Sequence, residues 1–142
     1  MKAAFKYLTS LLFLVIVIQV GVAAVALFKA LDYADAHGSV PKDQIESSLD
    51  PHHIFGTLAA VLILILFILA FAARMEPLMK KLAGALLVLM VLQFLFAVLA
   101  TNTAWLGFLH GINALAIYAV AGLLAHRAWA HKPATVAGGE TL

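Results

Sequence analysis

Two short stretches place histidine at the head of hydrophobic segments: Pro51-His52-His53-Ile54-Phe55-Gly56 and Leu109-His110-Gly111-Ile112-Asn113. Neutral imidazole is a good ligand for transition metals and for haem iron. Two imidazoles facing each other inside a helical bundle can hold one metal ion or one haem iron. That geometry requires the two segments to run in the same direction, as the second and fourth spans of a four-span membrane protein do. Both histidines then lie toward one face of the bilayer.

The composition supports such a protein. The 142 residues are 65% hydrophobic and 11% charged, with a mean hydropathy of +1.06, whereas soluble domains average about 25% charged residues. A helix needs about 20 apolar residues to cross a bilayer. Four segments qualify, at about residues 7–30, 51–73, 82–100 and 104–128. The reading is an all-α integral membrane bundle, up-down-up-down, over residues 1–132, with 133–142 a disordered tail. The first apolar run exceeds twenty residues, longer than the core of a secretory signal. Cysteine is absent, so metal chemistry would fall to His, Met or carboxylates.

Basic residues set the orientation. Lys2, Lys6, Arg74, Lys80, Lys81, Arg127 and Lys132 fall on one side, and Lys29 and Lys42 on the other. The positive-inside rule places both termini in the cytoplasm, as in a bacterial inner membrane. The isoelectric point near 9.1 reflects that bias and does not indicate nucleic acid. The outward stretch from Leu31 to Asp50 reads as a polar loop with a turn at Gly38-Ser39-Val40-Pro41, and Lys42–Leu49 could form a short interfacial helix. Asp50 is placed as N-cap and Pro51 as the first residue of span two, so that the positive end of the helix favours a neutral, ligating imidazole. A weak repeat pairs Ile18-Gln19-Val20 with Leu92-Gln93-Phe94, each preceding a histidine-bearing span.

Polar residues within spans are costly and face the protein interior. Gln19 and Gln93 read as interhelical glue, and Asn113, one turn from His110, as a residue supporting it. Gly56 lies four residues beyond His52, and Ala114 four beyond His110. Small residues there could leave room for a flat macrocycle, which favours His52 over His53 as the ligand. Aligning His53 with His110 instead superposes Leu58-Ala59 on Leu115-Ala116, so both histidines stay in the candidate set. His126 and His131 read as headgroup-facing, and His37 as a loop residue.

His52-His53-Ile54-Phe55-Gly56-Thr57-Leu58 resembles the opening of a ligand-bearing span in haem A synthase. Leu109-His110-Gly111-Ile112-Asn113-Ala114-Leu115 resembles the fourth span of that enzyme's half-domain. The chain looks like one such four-helix half over about residues 10–128. It is also similar to small bacterial four-span proteins of uncharacterised role. The resemblance implies haem ligation by His52 or His53 together with His110. It also implies a catalytic glutamate three residues before the first ligand. Here Leu49 stands at that spacing before His52, and Asp50 before His53. Ligation carries over, and oxidation of a haem methyl group does not.

The leading expectation is one haem b held by two histidines near the outer face, for electron transfer, redox sensing or haem handling. Six-coordinate iron leaves no open position for substrate, so no catalytic residue is assigned. Membrane lipid and haem are the expected partners, with quinol or an extracytoplasmic redox protein as electron source and a homodimer among the assembly options. Two alternatives stand beside it. One is a copper or zinc site using His52, His53, His110 and Asp50. The other is a structural or assembly subunit without cofactor, packing through Gly21, Ala24 and Gly84.

Overall fold

The structure is a computed structural model that describes residues 1–130, so His131, Lys132 and the tail lie outside the described residues. Four helices account for nearly all of it: α1 (Lys2–His37), α2 (Lys42–Ala72), α3 (Pro77–Ala100) and α4 (Ala104–Ala130). Each is long and apolar enough to cross a membrane. Turns of four, four and three residues join them, so successive helices run antiparallel. α1 packs on α2 and α4, and α3 packs on α2 and α4, while the diagonal pairs do not approach at the backbone. The bundle is therefore a square with α2 and α4 at opposite corners.

The core follows from spacing. The buried stripes run through Phe5, Thr9, Leu12 and Ile16 in α1, Ala59, Ile63, Leu66 and Ala70 in α2, Met79, Ala83, Leu86 and Met90 in α3, and Asn113, Ile117, Ala121, Leu124 and Ala128 in α4, with Val15, Ala26 and Leu62 buried beside them. Steps of four and three alternate along α1, α2 and α3, and α4 has one extra step of four between Asn113 and Ala121, close to the 3.5-residue period of helices packed by knobs into holes. Lipid tails are as apolar as leucine, so close packing of small residues helps hold such helices together. The buried alanines serve that purpose. Gly122 does so too, because a Cβ there would stand 3.2 Å from Phe13 Cε2. Gly21 and Ala24, by contrast, face outward, and nothing lies within 4 Å of a Cβ built at Gly21.

The helix ends are set by local chemistry. α1 stops at Gly38, whose φ of 77° is left-handed and whose N–H donates to Ala34 O at 2.7 Å. α2 closes with Arg74 at φ 49°. There Arg74 N–H donates to Phe71 O, Met75 N–H donates to Ala70 O, and Met75 is buried. This is the double-bonded C-terminal cap with its accompanying apolar contact.

α2 departs from the sequence expectation. It starts at Lys42, and Pro51 lies inside it. Of the stretch read as loop up to Asp50, the turn at residues 38–41 is present, the helix expected over Lys42–Leu49 is present as the start of α2, and residues 31–37 belong to α1. The polar residues from Lys42 to Asp50 are tolerable helix formers, and Pro51 removes only one donor, the bond to Ser47 O. Asp50 is thus not an N-cap, and His52 is ten residues into a helix, away from its positive end. His110 lies six residues into α4, so both histidines stand within their helices and not at the ends.

Aromatic residues mark the ends of the spans. Trp105 and Trp129 are exposed near the two ends of α4, about 36 Å apart at 1.5 Å per residue. Trp129 packs edge-on against Tyr7, lies under Lys6 Nζ at 3.7 Å, and donates from Nε1 to Ser10 Oγ at 2.8 Å. Tryptophan and tyrosine collect at membrane interfaces in this way.

Candidate functional site

Toward the α1–α2 and α3–α4 turns the buried seams change character. Continuing the steps of three and four leads from Ile16 to Gln19, from Ala59 back to Gly56 and His52, from Met90 to Gln93, and from Asn113 to His110. One end of the core is thus lined by two imidazoles and three amides instead of aliphatic side chains. His110 is five residues inward of Trp105, about 8 Å.

The structure brings His52 and His110 together across the α2–α4 diagonal, with ring centroids 6.2 Å apart and planes at 57°. Both are half-buried. His53 points to the exposed side of α2, its ring 6.3 Å from that of His52. Asp50 is also exposed. Among the described residues, no three His, Asp or Glu side chains group as a metal site would require. His37 ends α1, stacked on Tyr33, and His126 is exposed near the opposite end of the bundle.

Hydrogen bonds around His110 fix its proton. Asn113 Nδ2 donates to Leu89 O at 2.8 Å and to Gln93 Oε1 at 2.6 Å. Gln93 Oε1 is therefore an acceptor, and Gln93 Nε2 carries the amide hydrogens. His110 Nε2 lies 3.1 Å from Gln93 Nε2, and of these two nitrogens only the imidazole can accept. The ring proton is consequently assigned to Nδ1, which donates to Gln93 O at 3.1 Å. This assignment comes from the donor and acceptor inventory of the network. It leaves Nε2 as the lone-pair nitrogen, with Nδ1–H held by a backbone carbonyl, the arrangement common among metal-ligating histidines.

The other hairpin is built in parallel but left incomplete. Gln19 Nε2 donates to the backbone carbonyl of His52 at 2.8 Å, so this amide also joins the two helices of its hairpin. Gln19 Oε1 and His52 Nδ1 are buried without a hydrogen-bond partner. Such groups cost about 1–3 kcal/mol each and call for an explanation.

Gly56 makes room for Gln19 rather than for a ring system, since a Cβ there would lie 3.1 Å from Gln19 Nε2. Gly56→Ala is expected to push that amide off the His52 carbonyl and lower stability by about 1 kcal/mol. Thermal unfolding in detergent would register the loss; an unchanged midpoint would show that the seam yields freely. Ala114 is half-buried one turn beyond His110.

Gln19 and Gln93 were legible in the sequence only as glue. What shows them to belong with the histidines is the seam spacing, which places all four on the core-facing stripe of their helices. Residues 43–104 match the model of a family of unknown function (DUF6220). That stretch includes His52, His53, Gly56 and Gln93, and ends before His110 and Asn113. No curated protein and no solved structure matches the chain.

Proposed function

We propose that this membrane bundle holds one haem b between His52 and His110, and that it serves electron transfer, redox sensing or haem handling. The observation that carries the reading is that the half-buried rings of His52 and His110, from opposite corners of the bundle, approach to 6.2 Å between centroids, whereas His53, 6.3 Å from His52, faces outward. Two imidazoles bonded from opposite sides to one metal at about 2 Å each would have their ring centres about 6 Å apart. The donor set fits as well. His110 has the ligating tautomer, and His52 keeps a buried ring nitrogen that no protein group uses. When bound, the group would supply one-electron chemistry. The chain's residues would supply two ligating nitrogens and an apolar seam running from Leu12 and Ile16 to Met90 beside them.

The end carrying Lys2, Lys6, Arg74, Lys80, Lys81 and Arg127 is assigned to the cytoplasm by the positive-inside rule. The site then lies near the outer face of a bacterial-type inner membrane. An electron source there is quinol from the bilayer or an extracytoplasmic redox partner, and two copies could assemble as a homodimer.

A second reading has one observation in its favour. Both ring nitrogens of His110 are engaged by Gln93, as they would be in a structural or assembly subunit where His110 only joins α3 to α4. The copper or zinc alternative is weaker, because His53 and Asp50 point away from the His52–His110 pair. Haem quantified per chain after expression with adequate haem supply separates the readings. The haem reading expects about one per chain, lost on chain unfolding. A purified folded chain that carries none, and takes up none from added haemin, supports the structural reading instead.

A further inference from the structure

We infer that Gln93 is a positioning residue for His110 and also a stand-in ligand, occupying Nε2 with its amide until haem displaces it. The inference rests on the haem reading above and concerns how the same site is prepared and opened. Its basis is the directed chain Asn113 to Gln93 to His110. The two hydrogens of Asn113 Nδ2 are committed to Leu89 O and Gln93 Oε1. With Oε1 held, the Gln93 amide cannot turn over, so it presents N–H to His110 Nε2. The backbone carbonyl of the same residue takes the Nδ1 proton. Gln93 therefore grips the imidazole at both nitrogens, and the two grips differ in kind.

The backbone grip is compatible with iron on Nε2, and it fixes ring orientation as a second-layer partner does at metal sites. The side-chain grip is incompatible, because an amide N–H and an iron cannot share one lone pair. Loading the site thus requires the Gln93 side chain to leave Nε2 while the Gln93 carbonyl stays on Nδ1–H. The bundle thereby leaves no His110 nitrogen unpaired and holds the ring in the tautomer that iron needs. At His52 the side-chain amide of Gln19 goes to the backbone carbonyl instead, and Nδ1 is without a hydrogen-bond partner.

Gln93→Leu separates the two grips. It deletes the side-chain donor, keeps similar bulk, and leaves the backbone carbonyl on Nδ1–H. The test uses the full-length apo protein in detergent, with imidazole nitrogen resonances recorded first and haemin titrated in afterwards. In the wild type, His110 should show Nδ1–H and an Nε2 that accepts a hydrogen bond. In Gln93→Leu the Nδ1–H form should persist and the Nε2 signal should move to that of a free lone pair. Haemin should then bind the variant about fivefold faster or tighter, the scale of one neutral hydrogen bond. Asn113→Leu, which removes the clamp on Gln93 Oε1 and so weakens the side-chain bond to His110 Nε2, should shift both readouts the same way by less. It serves as the second variant should Gln93→Leu not fold.

An Nε2–H tautomer in the wild type overturns the inference. So does haemin binding that is equal or weaker in both variants while the wild type binds normally. If the wild type itself takes up no haemin, the haem reading fails, and the displacement falls with it. That result is distinct from the one in which only the variants fail to respond.

Discussion

His110→Ala is expected to lose haem, with affinity falling by more than about 100-fold, since changes to the supporting layer of a metal site alone cost 10–100-fold. The same substitution also removes the acceptor of Gln93 Nε2 and the donor to Gln93 O, so a loss of stability follows under either reading of the site. His110→Gln separates them. Glutamine can still exchange hydrogen bonds with α3, which keeps stability within about 1 kcal/mol of wild type, the size of one interhelical bond in lipid. It cannot replace imidazole on haem iron. A folded His110→Gln protein without a low-spin haem spectrum supports ligation. One that retains the wild-type spectrum removes His110 from the ligand set.

The second large effect is a contrast between neighbours. His52→Ala should abolish six-coordinate haem, and His53→Ala should leave the spectrum unchanged, because only the His52 ring faces His110 while His53 faces outward. Stability should behave in the opposite sense to the usual cost of emptying a buried site. The bond from Gln19 reaches the backbone carbonyl of His52, which alanine retains, and the imidazole has a buried nitrogen without a partner. Removing such a group relieves a penalty that offsets much of the lost packing. The apo form of His52→Ala should therefore unfold within about 1 kcal/mol of wild type, as followed by thermal melting in detergent. A drop as large as that of His110→Ala would mean that His52 is a structural residue.

Much of this was legible in the sequence. Hydropathy located four spans, and three of the four helices begin or end within a few residues of the expected boundaries at the α2–α3 and α3–α4 turns. The parallel between the hairpins was visible as Gln19 before one histidine and Gln93 before the other, and in each hairpin that amide does bond its histidine. The start of α2 was not legible. Asp50-Pro51 reads locally as a helix start, and the local signal is overridden because residues 42–50 continue the helix next to α1 beyond the bundle. The choice between His52 and His53 was legible in principle. Counting back from Ala70 through Leu66, Ile63, Ala59 and Gly56 in steps of four and three arrives at His52. Periodicity of single helices could not reveal the contacts across the diagonal, since α2 and α4 meet there only through side chains.

The central claim is that His52 and His110 are axial ligands of one haem. Its most direct test is the absorption spectrum of the full-length protein purified in detergent, oxidised and then reduced with dithionite. The account predicts a sharp Soret band, with resolved α and β bands on reduction, the signature of low-spin iron with two strong axial nitrogens. A visible spectrum that stays featureless after haemin is added to the folded protein would contradict it.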